Sequence, residues 1–345
     1  MKIRRAATLV CTFEDKKPVV HNFLKKEMFE CDARALEILA LLDEWTSMDD
    51  VLAGLSHPLQ AAVFLRELIQ RDLVLIEGSP EAARDQRYRD NWRWGSVTGF
   101  YHFSLRDSVF VDGETSRQKL IEYGGHVTSP PLMTLNDGME KVVELPEFEA
   151  DDPFFEVLLQ RRSRREFTGH AIPVKALANC LYAGNGLKEI FDAGDLGKLP
   201  MTMTPSGGAR NPFELYVDVR AVDGVEPGLY HYSAAEHSLG YLHNNDRPAP
   251  SVLLGNQAWT NSCAAIVLLA ASFERSAWKY RQALAYRVVL MEVGAITQNI
   301  QLAATRDGIA AGPTGALAES EIEILLGLQE IEQAALFAVV LGDPA

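Results

Sequence analysis

The sequence predicts an α+β protein fronted by a small winged-helix-like unit, and three observations carry that prediction. A helix from about Ala283 to Arg306 bears Tyr286, Leu290, Val293, Ile296, Ile300 and Ala303 at spacings of three and four, which marks one apolar stripe. Strand-like runs lie on both sides of it: ELYVDV (214–219), GLYHYS (228–233) and SLGYL (238–242), then the continuous apolar runs 264–273 and 335–342. The first 80 residues run helix, helix, helix, strand.

Three units follow along the chain. In residues 1–80, Val19 to Phe29 suits a short hairpin, and Asp32 caps the helix ARALEILALLDEW. Ser47 and Asp50 fit an S-x-x-D capping box for MDDVLAGL; a third helix, AAVFLRELIQRD, and a strand, LVLIEG, come next. A winged helix suggests DNA, but this unit carries ten basic residues against thirteen acids, and Arg66, Glu67, Arg71 and Asp72 give its third helix no basic face. Peptide binding or docking fits better, with plain packing as the competing role.

Residues 81–150 read as a connecting arm: a polar helix over Glu81–Arg93, a crowd of aromatics (Trp92, Trp94, Phe100, Tyr101, Phe103), then extended pieces rich in Gly and Pro. Residues 151–345 form the main domain. Asp152 and Pro153 start the helix PFFEVLLQRR. Pro173 opens a helix that stops at Gly186, and the strands 228–233 and 238–242 are close enough for a hairpin. Ser320 and Glu323 fit a second capping box before a short helix.

Composition narrows the function. The chain has 345 residues, 47% hydrophobic and 23% charged, which excludes a disordered or collagen-like chain. With 33 basic and 47 acidic residues its net charge is −14, unsuited to general nucleic-acid or anionic-membrane binding. Cys11, Cys31, Cys180 and Cys263 form no CxxC pair, which favours reduced thiols and a cytoplasmic setting. The run Cys263–Phe273 is too short to span a membrane. No HExxH or Cys/His cluster appears, which disfavours metal catalysis, and no Ser nucleophile motif appears.

Four stretches suit chemistry. Arg161, Arg162, Ser163, Arg164 and Arg165 put four guanidinium forks and a hydroxyl at a helix end, which suits a phosphate; a solvated basic surface is the plainer reading. Ser206, Gly207, Gly208 and Arg210 precede a strand, and glycines there let backbone approach a flat or anionic ligand; an ordinary loop is the alternative. Trp278, Lys279 and Tyr280 offer a lysine that, in a buried aromatic setting, suits a proton-accepting base; a snorkelling lysine competes. Gly312 lies in AAGPTG (310–315), by itself loop-like.

Taken together these stretches resemble the FMN-dependent nitroreductase fold, and within it the SagB-type (McbC-like) azoline dehydrogenases. RRSRREF (161–167), PSGGARNPFELYV (205–217), PGLYHYSAAEHSL (227–239), YRVVLMEVGAITQNIQLAATRDG (286–308) and WRWGSVTGFYHFSLR (92–106) carry the resemblance over about residues 90–345. The first 80 residues resemble PqqD-like modules that grip leader peptides. The resemblance implies a central, mostly antiparallel sheet flanked by helices, in a homodimer that binds FMN. Arg161, Arg162, Ser163 and Arg165 would hold the FMN phosphate and ring edge. Ser206, Gly207, Gly208 and Arg210 would contact the flavin from the partner copy, and Gly312 would lie near the ring. Lys279 and Tyr280 match the pair that azoline dehydrogenases use. Two departures fall on the substrate side: Ala283 stands near the expected arginine, and Gly294-Ala295 stand where the family has Gly-His.

The implied activity is oxidation of thiazoline or oxazoline rings in a ribosomal peptide precursor, alongside a cyclodehydratase complex. Lys279 would take the proton beside the carbonyl while a hydride goes to the flavin. An NAD(P)H-dependent nitro- or quinone reductase is a second use of the same fold, and a non-catalytic peptide-binding scaffold a third reading.

Overall fold

The computed structural model describes residues 1–55, 57–148 and 151–345. The first unit holds β1 (Lys2–Arg5), β2 (Leu9–Glu14), β3 (Lys17–Asn22), β4 (Glu27–Glu30), α1 (Ala33–Leu41), β5 (Thr46–Ser47), α2 (Met48–Ala53), α3 (Pro58–Gln70) and β6 (Val74–Ile76). Two three-stranded sheets result, β5-β1-β6 and the meander β2-β3-β4, whose second turn places Lys26 at positive φ. Asp32 caps α1 by accepting the Ala35 N–H at 2.9 Å. The expected box on α2 does not form, because the Ser47 side chain makes no cap bond. The helices and strand come in the expected order, with β1, β2 and β5 added; after β6 the chain turns at Gly78 straight into a helix. Ile3, Ile38, Leu42, Leu65 and Leu73 form this unit's own core.

Residues 80–105 are helical: α4 (Pro80–Asn91) and α5 (Gly95–Leu105). Tyr88, Trp92, Trp94 and Phe103 are buried in one cluster with Phe273 and Tyr286 of the main domain, and Phe23 of the first unit joins it. The aromatics expected on a connecting arm are thus core residues, and hydrophobic burial fixes both helices on the main domain. From Asp107 to Phe148 no residue is buried, including the helix α6 (Gly113–His126).

The main domain continues with α7 (Pro153–Gln160), α8 (Val174–Asn185), β7 (Leu187–Asp192), β8 (Lys198–Thr202), β9 (Phe213–Val219), β10 (Gly228–Ser233), β11 (Ser238–His243), α9 (Pro250–Leu253), β12 (Ala265–Ser272), α10 (Phe273–Lys279), α11 (Leu284–Arg306), β13 (Ala310–Thr314), α12 (Glu319–Leu326) and β14 (Gln333–Gly342). Six strands form one antiparallel sheet in the order β11-β10-β9-β12-β14-β13. Both faces are covered. Val267 and Leu269 point to the side of α8 and α11, and Ile266 and Leu268 to the side of α9 and α12. Two buried faces explain why β12 reads as a continuous apolar run and not as an alternation.

Two readings need correcting. The hairpin β7–β8 was not anticipated; its strands are mostly exposed, so no apolar alternation announces them. The expected box at Ser320 and Glu323 is not a cap. The Ser320 N–H and hydroxyl both donate to the Asp107 carboxylate at 2.8 Å, and Glu323 pairs with buried Arg106. Burial pushes the Glu323 carboxyl up to about 7, against the lowering effect of Arg106. No helix among the described residues is long and apolar enough to cross a membrane.

Candidate active site

The long helix α11 is the floor of the site. Tyr286, Val289, Val293, Ile296 and Ile300 turn inward, and Ile296 and Ile300 pack on α8, where Gly184 leaves room for the Ile300 side chain. One carboxylate shares this buried face: Glu292, 7% exposed. A buried carboxylate needs donors. Glu292 accepts the Gly207 N–H at 2.8 Å, with Ser206 as a second partner, and burial still holds its carboxyl above the ordinary range. The glycine loop is therefore stapled to the middle of α11.

That staple brings the loop and the lysine–tyrosine pair together. Gly208 has φ +64°, a left-handed conformation that favours glycine. Its absent side chain faces Tyr280 and Lys279: a Cβ there would stand 2.7 Å from Lys279 Nζ, and closer to the Tyr280 hydroxyl. A cleft of about 560 Å³ opens beside them, lined by Gly207, Lys279, Tyr280, Gln282, Val288 and Glu292. Lys279 Nζ lies 5.3 Å from the Tyr280 ring centroid, within cation–π range. Lys279 is exposed at the rim, so the buried setting expected of it is not provided by this chain alone. The reason is its position on the last residue of the short helix α10, above the cleft. Arg210 turns the other way; it donates to the Arg275 carbonyl at 3.1 Å and stacks 4.8 Å over Trp278. Ser206 also accepts the Asn211 N–H at 2.9 Å, which closes the loop on itself.

The arginine segment forms a second group. Arg161 is the C-cap of α7 and donates to the Gln301 side chain at 3.2 Å. Arg162 donates to the carbonyls of Leu159 and Arg161 at 2.8 Å. Ser163 and Arg165 are exposed, and the Arg165 guanidinium stands 5.8 Å over Trp259. The Arg164 N–H donates to the Ala311 carbonyl at 2.9 Å, which lays the segment along β13. Gly312 is where they touch: a Cβ there would meet the Arg164 carbonyl at 2.7 Å and the Trp259 ring at 2.8 Å. Gly312 thus makes room for protein atoms and seats the arginine segment.

The structure therefore joins Ser206, Gly207 and Gly208 with Lys279 and Tyr280, and the arginines with Gly312. Glu292 and Gln301, the anchors of the two groups, are nine residues apart on α11, about 13 Å along its axis. Glu292 had one readable sign, since it shares the helix face of Val289 and Ile296. Trp94, which donates its indole N–H to the Tyr280 carbonyl at 2.9 Å, was legible only as one of the crowded aromatics of the stretch 92–106.

Comparison with known proteins identifies the family. The Nitroreductase family model matches residues 158–343. "Putative nitroreductase MJ1384" of Methanocaldococcus jannaschii is 32% identical over 197 residues, 57% of this chain and 93% of that protein. The trifolitoxin-processing protein TfxB of Rhizobium leguminosarum bv. trifolii is 35% identical over 149 residues, 39% of this chain and 38% of that one. Among solved structures, the E. coli microcin synthetase McbBCD complex with truncated pro-MccB17 bound aligns with a TM-score of 0.47 and 18% identity, over 67% of this chain and 92% of that one. With more than half of its length matched by the family model, the chain belongs to the nitroreductase family.

Proposed function

We propose that the protein is an FMN-dependent dehydrogenase that oxidises thiazoline or oxazoline rings in a ribosomal peptide precursor to the azoles, acting as a homodimer. The observation that carries this reading is the Lys279–Tyr280 pair packed onto Gly208 at the rim of the 560 Å³ cleft. The similarity to a trifolitoxin-processing protein supports a peptide as the substrate class.

The donor set fits FMN. None of the four guanidinium groups between 161 and 165 pairs with a carboxylate among the described residues. Exposed and unpaired, Arg165 and Ser163 suit a phosphate, with Arg161 beside them; Arg162 is held by its own helix carbonyls. Ser206, Gly207 and Gly208 would meet the ring, the loop coming from the second copy, and Gly312 would support the arginines. FMN, when bound, supplies the hydride acceptor. Lys279 Nζ takes the acidic proton that the azoline ring carbon carries beside the peptide carbonyl, and the Tyr280 hydroxyl orients it. Glu292 holds the loop in register through the Gly207 N–H. The second copy and a cyclodehydratase complex are the proposed partners, and a second copy would supply the water exclusion that Lys279 lacks in one chain.

The test is purification, a visible spectrum and mass analysis of the released cofactor, then incubation with a cyclised precursor peptide. The expected result is a yellow protein and the loss of two hydrogens per ring. The similarity over most of the Methanocaldococcus jannaschii protein favours a second reading, an NAD(P)H-dependent nitroreductase. Steady NADPH consumption with a nitroaromatic, and no action on the peptide, would select it. A colourless protein would leave only a peptide-binding scaffold.

A further inference from the structure

We propose that the segment Trp92–Arg106 is the positioning frame of the Lys279–Tyr280 pair, with the bond from the Trp94 indole to the Tyr280 carbonyl as its central contact. The proposal rests on the reading of that pair as the working residues, and gives a role to a stretch that the functional reading leaves unused.

Lys279 ends α10 and Tyr280 is its C-cap; residues 281–283 then lead into α11. Carbonyls at a helix end have no partner within the helix, so an outside donor decides where they sit. Trp94 is that donor, at 2.9 Å. It is 4% exposed, and a buried indole N–H is costly to leave unpaired, so the bond holds both ends. Its ring lies edge-on to Phe273, the first residue of α10, at 5.6 Å, and tilted against Tyr286, in the first turn of α11, also at 5.6 Å. One side chain thus touches the start of α10, its end and the start of α11.

His102 repeats the pattern. Its ring stands 5.2 Å from Phe273, and its Nδ1 lies 3.0 Å from the Tyr286 hydroxyl. Burial pushes the imidazole down to about 3, so the ring is neutral at neutral pH and the Tyr286 contact does not titrate there. Trp92 fills the space between, 5.4 Å from Phe273 and 5.9 Å from Tyr286, and Gly99 lets the Tyr88 ring lie against α5. At the far end Arg106 pairs with Glu323 and fixes α5 to α12. Trp92, Trp94, His102 and Arg106 all meet main-domain residues, and the first three each touch both Phe273 and Tyr286, on either side of the turn that presents Lys279 and Tyr280.

The test uses the full-length protein with Trp94→Phe, and with benzothienylalanine at position 94, which keeps the ring shape and lacks the N–H. The expected result is amide exchange at Tyr280, Ala285 and Tyr286 faster by about fivefold or more, with the central sheet unchanged. In the peptide assay kcat falls at least about fivefold while KM and flavin content hold. Unchanged exchange at those amides in both variants overturns the proposal. So does exchange that quickens throughout α11 and the sheet with loss of flavin, the mark of a merely structural role. If the wild-type protein does not oxidise the peptide, the functional reading fails, and the exchange measurement alone still decides the frame.

Discussion

Substituting Gly208 by alanine tests the candidate site at its tightest point. The residue has φ +64°, and a new Cβ would stand 2.7 Å from Lys279 Nζ, with the Tyr280 hydroxyl nearer. Ordinary contact begins at 3.4 Å, so the lysine tip must retreat by about 0.7 Å and the tyrosine tip by more. Both obstructing atoms are ends of flexible side chains, so the fold adapts. The left-handed backbone costs about 1–2 kcal/mol with a Cβ, which lowers Tm by a few degrees. Catalysis has less freedom: displacing a reacting group by about 1 Å costs up to about 10²-fold. Gly208→Ala is therefore expected to keep its flavin spectrum and melt slightly early, while kcat for azoline oxidation drops about tenfold to a hundredfold. The assay is mass-spectrometric turnover at saturating peptide, with flavin absorbance as the loading control. Wild-type kcat in a variant that folds and binds flavin would refute the claim that the loop sets the position of Lys279 and Tyr280.

Further outcomes follow from the same geometry. Arg165→Ala and Arg161→Ala should each weaken FMN binding by about tenfold to a hundredfold, read by fluorescence on flavin release, since a hydrogen bond to a charged group contributes about 1.5–3 kcal/mol; unchanged retention in both would remove the phosphate assignment. His102 has a folded-state pKa of about 3 against an ordinary 6.5, so the folded chain binds fewer protons between those values. Its contribution is complete above pH 6.5 and is lost as pH falls towards 3; His102→Gln should flatten acid unfolding in that window, followed by circular dichroism. Arg106→Met leaves Glu323 buried without its partner and should cost about 3–5 kcal/mol. Because the Glu323 pKa is raised from 4.5 to about 7, the folded chain binds the extra proton between those values, and stability falls as pH rises through them. Removing Arg106 should steepen that fall, so equal Tm losses at pH 5 and pH 8 would contradict it.

What could be read without the structure was local. The stripe on α11, the apolar runs of β12 and β14, the hairpin β10–β11 and the Asp32 and Asp152 caps are set by neighbours a few residues away, and periodicity or capping chemistry reveals them. The arginine, glycine-loop and lysine–tyrosine stretches were legible as chemistry for the same reason, because each concentrates unusual residue types in a short span.

The long-range partners were decided only in three dimensions. Ser320 and Glu323 have capping spacing, yet they receive Asp107 and Arg106 from more than two hundred positions away. Glu292 looks like an ordinary helix carboxylate until the Gly207 N–H reaches it, and Gly312 looks like a loop glycine until the Arg164 carbonyl fills its Cβ position. Trp94 meets Tyr280 across 186 positions. Spacing along the chain specifies which groups a residue can offer. Which distant group accepts depends on how the helices pack over the sheet, where each buried donor and acceptor must find a partner that no local pattern contains.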